Sequence, residues 1–121
     1  MNIGFIGRSE LLYNSIVKLK EAGHAIKVII TSDAYEEYKR EKNDFEDLAK
    51  QYNATFILAD NLEDQSVTDA CRDLDVGITI NFNRIIGESH IRLYKMGILN
   101  CHIGDLPRYR GNATPNWAIV N

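Results

Sequence analysis

Asn100 and His102 stand two positions apart in the apolar run Gly97-Ile98-Leu99-Asn100-Cys101-His102-Ile103. Side chains alternate between the faces of a strand, so Ile98, Asn100 and His102 share one face and Leu99, Cys101 and Ile103 the other. An asparagine amide can donate a hydrogen bond to a developing oxyanion. A neighbouring histidine can give or take a proton near neutral pH. Together the two suit acyl transfer through a tetrahedral intermediate. A lone histidine here would read as a half-buried core residue; the asparagine two positions before it shifts the reading to chemistry. No Ser or Cys stands in triad-like context, so a covalent nucleophile is not implied. Cys101 is expected to point away from the site, with Leu99 and Ile103, against a covering helix.

The elements that must hold this pair follow from periodicity. Asn2 to Gly7 reads as a short buried strand. Ser9 is a candidate N-cap for a helix whose apolar stripe is Leu12, Ile16 and Leu19, closed by Gly23 at C′. Ala25 to Thr31, β-branched and apolar, is a second strand. Residues 36–47 are charge-dense and read as a solvated helix face, while Phe45, Leu48, Ala49 and Tyr52 give an amphipathic stripe. Thr55 to Ala59 is a third strand. Asn61 can cap the next helix, with Asp64 at N3 as a partial capping box; its inner stripe is Val67, Ala70, Cys71 and Leu74. Val76 to Phe82 is the fourth strand, with Val76, Ile78, Ile80 and Phe82 on one face and Thr79, Asn81 and Asn83 on the other. A short helix is expected from Glu88 to Lys95, then a fifth strand from Gly97 to Ile103. The alternation implies an α/β fold: a Rossmann-like doubly wound parallel sheet of about five strands, whose ligands sit at the C-terminal strand ends.

Bulk composition narrows the class. The chain has 121 residues, enough for one domain, with 45% hydrophobic and 26% charged residues, as in a soluble globular protein. A net charge of -3, from 14 Lys+Arg against 17 Asp+Glu, argues against general nucleic-acid binding and against DNA as a partner. Two cysteines, Cys71 and Cys101, in no metal-ligand spacing, fit a reducing, cytoplasmic setting. No apolar run reaches membrane-spanning length. The first turn, Gly4-Phe5-Ile6-Gly7-Arg8-Ser9, is not GxGxxG; Gly7 reads as a tight βα turn rather than a dinucleotide fingerprint.

Beyond the fourth strand the motifs combine. Asn100 and His102, Leu106-Pro107, Arg110-Gly111 and Thr114-Pro115-Asn116-Trp117-Ala118-Ile119, with Phe82-Asn83-Arg84-Ile85-Ile86 upstream, resemble the pattern of the N10-formyltetrahydrofolate-dependent formyltransferases. The resemblance is specific over residues 76–119. It implies that Asn100 stabilises the oxyanion of the formyl group and that His102 polarises it and helps proton transfer. It also implies that Arg84, Ile85, Ile86, Ile98 and Leu106 line the pocket for N10-formyltetrahydrofolate, the co-substrate, and that no metal is required. Pro107, with Leu106, would shape the loop between folate and acceptor. Trp117 reads as a core anchor, and Arg110 as a pin for its own loop, although Arg108, Tyr109 and Arg110 could also meet acceptor phosphates.

Two departures stand out. Gly104-Asp105 replaces a common Ser-Leu after the histidine, which puts a carboxylate near the site. The family's catalytic aspartate, a few dozen residues beyond the histidine, is not in this sequence. Residues 1–121 are therefore expected to be the N-terminal, folate-binding part of a catalytic domain, incomplete at its C-terminus and inactive alone. The acceptor implied is a primary amine on a small molecule, with a nucleotide-linked amino sugar ranked first and tRNA below it. The glycine-poor first turn argues against a glycinamide ribonucleotide acceptor. An exposed fifth strand would be an edge open to association, a homodimer included. The rival reading is a non-catalytic folate- or nucleotide-binding α/β module without the aspartate.

Overall fold

In a computed structural model of the chain, residues 1–32, 41–82 and 84–101 are described. Strands β1 (Asn2–Gly7), β2 (Ala25–Thr31), β3 (Thr55–Leu58), β4 (Val76–Ile80) and β5 (Ile98–Asn100) alternate with helices α1 (Glu10–Glu21), α2 (Lys42–Gln51), α3 (Gln65–Cys71) and α4 (Glu88–Ile91). The strands form one parallel sheet in the order β3-β2-β1-β4-β5. This is the doubly wound α/β arrangement read from the sequence, and its winding reverses between β1 and β4.

Local chemistry explains the first half. The Leu12 N–H donates to Ser9 Oγ at 3.3 Å, which caps α1. Gly23, at φ 98, takes the left-handed turn after the C-cap Ala22. In α2 the Glu41 N–H donates to Asp44 Oδ2 at 2.9 Å, and Phe45, Leu48 and Ala49 turn inward. Residues 33–40, which include part of the charge-dense stretch, lie outside the described residues.

Two cores cover the two sheet faces. Ile3, Phe5, Ile29, Val76 and Ile80 pack with Leu12, Ile16, Phe45 and Leu48 on the α1/α2 side. Ile6, Val28 and Ile30 pack with Leu62, Val67, Cys71 and Tyr94 on the α3/α4 side. Here Gly4 and Gly77, paired across β1 and β4, leave room for the Tyr94 ring. A Cβ on Gly77 would lie 2.9 Å from Tyr94 Cζ, and one on Gly4 3.3 Å from Tyr94 Cε1.

The second half departs from the expected pattern in five places. Helix α3 begins at Gln65, with Asp64 as N-cap, because the Asn61 side chain instead closes a turn, accepting from the Glu63 N–H at 2.9 Å. Leu74 is buried but lies beyond the helix. Strand β4 stops at Ile80, and Asn81 adopts φ 57. That left-handed residue breaks the alternation, so Phe82 packs in the α3/α4 core and not with Ile80. Helix α4 ends at Ile91 and gives way to turns closed by Gly97 at φ 79. Leu99 is 64% exposed and Cys101 is also exposed, so no described helix covers that face of β5. Ile103 lies outside the described residues, as do Asn83, Arg108, Tyr109, Arg110 and Trp117.

Candidate functional site

The C-terminal ends of the strands form one edge, where the sheet's polar ends are free to meet a ligand. At β1 this edge is tightly closed. Gly7 has φ 152, and a Cβ there would lie 1.9 Å from the Ile80 carbonyl oxygen. Only glycine lets β1 turn into α1 this close to β4. Arg8, 4% exposed, follows directly, with Ser9, Thr31 and Ser32 also buried. Sequence reasoning singled out Gly7 but not Arg8. A long cation placed immediately after a βα-turn glycine was the available signal.

Asn100 ends β5 in register with Thr79 of β4, and the Cys101 N–H donates to the Thr79 carbonyl at 3.0 Å. The pairing fixes where Asn100 leaves the sheet. Ile98, two residues before, packs partly buried on the α3/α4 core, so Asn100 stands on that same face, exposed at its rim. His102 and Leu106 lie outside the described residues.

The loop between β4 and α4 supplies the other expected pocket residues. Phe82 and Ile86 anchor its two ends on the same core as Ile98. Arg84 and Ile85 form the tip between these anchors; both are exposed, Ile85 at 98%. A fully exposed isoleucine between the buried Phe82 and the partly buried Ile86 is an apolar surface presented outward. The structure therefore brings Ile86, Ile98 and Asn100 to one sheet face, with Arg84 and Ile85 projecting beside it. An open cleft of about 580 Å³ separates this loop from the β3–α3 connection, lined by Asp60, Asn61, Leu62, Glu63, Arg84, Ile85 and Gly87.

Beneath α4 lies a buried polar chain. His90 Nε2 and the Tyr94 hydroxyl are 2.9 Å apart, and both residues are buried. Burial, then the neighbouring Cys71, pushes the Tyr94 hydroxyl pKa far above its usual value. Burial also raises the Cys71 thiol. For His90, burial lowers the pKa, while Glu63 and the Leu62 backbone pull the other way. These groups stay neutral and serve packing. Among the described residues, Cys71 and Cys101 are free thiols, no group of His, Cys, Asp and Glu side chains could hold a metal ion, and no helix is long and apolar enough to cross a membrane.

Comparison with known proteins gives a consistent family. The family model described as formyl transferase matches residues 1–121. The methionyl-tRNA formyltransferase of Clostridioides difficile is 25% identical over 126 residues, covering 100% of this chain and 41% of that protein. That of Bacteroides thetaiotaomicron is 26% identical over 126 residues, covering 100% of this chain and 39% of its own. This chain thus spans about two fifths of the length of these relatives. The phosphoribosylglycinamide formyltransferase structure from Anaplasma phagocytophilum superposes with a TM-score of 0.73 at 20% identity, over 99% of this chain and 58% of that one. This likeness supports the fold. The names of the sequence relatives overturn one expectation: tRNA does not rank below an amino sugar as the acceptor. The glycine-poor first turn argues only against a glycinamide ribonucleotide acceptor and does not separate an amino sugar from tRNA.

Proposed function

The chain belongs to the formyl transferase family, and from that premise we propose that the protein transfers a formyl group from N10-formyltetrahydrofolate to a primary amine. The observation that carries the reading is the placement of Asn100. It is a polar residue exposed at the end of β5, on the face where Ile86 and Ile98 pack.

The residues fit the co-substrate. Ile85, Ile86 and Ile98 offer the apolar surface a pterin ring needs, and Arg84 stands in the same loop to meet polar or anionic parts of the folate. Leu106 is assigned to the same pocket by its place in the sequence motif. The folate, when bound, supplies an activated formyl group. The Asn100 side-chain N–H would hold the formyl oxygen where negative charge develops, so its hydrogen bond strengthens on the way to the transition state. His102, two positions on in the sequence, takes the proton-transfer role, since the acceptor amine must lose a proton as it attacks. The acceptor class we put first is the amino group of a methionyl-tRNA, on the names of the relatives.

The test has two stages. The nonreactive isomer 5-formyltetrahydrofolate is expected to raise the melting temperature of the intact protein as RT ln(1 + [L]/Kd) requires. Formyl transfer to methionyl-tRNA is then read by mass spectrometry of the released aminoacyl group. An unmoved melting curve at saturating folate would remove the pocket assignment. Protection without transfer to any amine would leave a folate-binding module instead.

A further inference from the structure

We propose that Glu63, on the far wall of the cleft, is a positioning residue that holds the Arg84–Ile86 loop in its folate-accepting place. The inference rests on the folate reading of that loop given above.

The loop is a bridge with two footings. At its start, Phe82 is buried in the α3/α4 core, and at its end Ile86 packs on the same core. Immediately after Ile86 comes Gly87, the N-cap of α4, a helix of 4 residues. Four residues cannot hold themselves in place by their own backbone bonds, because helix nucleation alone is unfavourable. Tertiary contacts must do it. Two are present. On the inner side, buried His90 meets the Leu62 backbone. On the outer side, the Ser89 hydroxyl donates to Glu63 Oε2 at 2.5 Å, joining α4 to the β3–α3 connection across 26 positions of sequence. The other Glu63 oxygen lies against Gly87: a Cβ there would stand 3.0 Å from Oε1. Glu63 is itself set by the turn that Asn61 closes, through the Glu63 N–H at 2.9 Å. The carboxylate thus sits on a fixed turn and holds Ser89, at the start of α4, a few residues beyond the exposed tip. A charged acceptor makes this bond stronger than an ordinary hydroxyl contact.

Glu63 shares the cleft with Arg84 and Ile85, but its carboxylate is engaged by the Ser89 hydroxyl. It reaches the loop through Ser89 and Gly87, so its removal should loosen the loop before binding rather than remove a contact. Glu63→Ala and Ser89→Ala in the intact protein are expected to weaken 5-formyltetrahydrofolate binding about threefold to tenfold each. The double variant should be no worse than either single one, since one bond is lost in all three. Glu63→Gln, which keeps an acceptor oxygen for Ser89, should recover most of the affinity. The loss should fall on Kd and KM for the folate more than on kcat at saturation. Amide hydrogen exchange of the ligand-free protein gives an independent reading: residues 84–91 should exchange faster in both Ala variants, with the rest of the sheet unchanged.

Wild-type affinity and unchanged exchange in both Ala variants would overturn the proposal while leaving the folate reading intact. Additive losses in the double variant would overturn it too. Faster exchange together with a wild-type protein that binds no folate would retain the tether, refute the folate reading, and with it the role assigned to Glu63.

Discussion

The ends of β1 and β2 and the ends of β4 and β5 lie on the same edge of one sheet, yet they meet solvent in opposite ways. At β1 and β2 everything is drawn in: Gly7, Arg8, Ser9, Thr31 and Ser32 are all buried. At β4 and β5, Asn81, Arg84, Ile85, Asn100 and Cys101 are exposed. The winding reversal between β1 and β4 separates the two stretches. A closed edge can tolerate no change of volume, because atoms are already in contact. An open edge keeps unsatisfied amides and uncovered apolar carbons at the surface, where a ligand can cover them. The difference teaches which side of the switch point holds the fold and which is available for chemistry.

Substitutions can break that contrast. The largest effect is expected at the closed edge. Gly7→Ala must move the Ile80 carbonyl, so chemical denaturation should show a loss of about 3–5 kcal/mol, or no folded protein. At the open edge, Asn100→Ala should leave the unfolding midpoint close to wild type and lower kcat about 100-fold, with folate affinity little changed. An equal loss of folate binding and turnover would make Asn100 a ground-state contact. Ile85→Ala should weaken folate binding about tenfold at unchanged stability, since an exposed side chain contributes nothing to the folded core until a ligand covers it.

The smallest effect sharpens the contrast from below the sheet. Burial lowers the His90 pKa from its ordinary 6.5, so in acid the unfolded chain binds a proton that the folded one does not. Stability contributed by the neutral His90 is therefore present above about 6.5 and declines as pH falls from there toward the lowered folded value. A His90→Gln variant should show a flatter dependence of the denaturation midpoint between roughly pH 5 and 7. An unchanged slope would mean that other groups carry the acid sensitivity.

How much of this was legible in the sequence depended on the distance over which each feature is decided. Ser9, Gly23 and the Phe45–Leu48–Ala49 stripe are local devices, and caps and periodicity reveal them directly. The parallel, doubly wound sheet follows from the alternation of elements, but the order β3-β2-β1-β4-β5 does not, since other doubly wound orders share that alternation. The departures arise where one backbone angle or one long-range contact decides. Asn81 at φ 57 sends Phe82 to the other core, and asparagine's tolerance of that angle was the only hint. Asn61 reads as the cap of α3 with Asp64 at N3; Asp64 takes the N-cap place because the Asn61 side chain closes a turn on the Glu63 N–H. The Glu63–Ser89 bond joins residues that no spacing rule relates. Alternation correctly put Asn100 with Ile98, but could not say that no described helix would cover Leu99. His102 and Leu106 stand as assignments by motif.

The sheet order also sets a schedule for synthesis. β1 is central, paired with β2 on one side and with β4 on the other, Gly7 opposite Ile80. The second partner is made some seventy residues after the first strand emerges, roughly 4–15 s at ordinary ribosomal speed. Until β4 is made, the edge of β1 that it will occupy, on a strand carrying Ile3, Phe5 and Ile6, has no partner. Such an edge is a template for pairing with another chain, so the yield of folded protein should depend on chaperone supply and translation rate more steeply than its final packing would indicate.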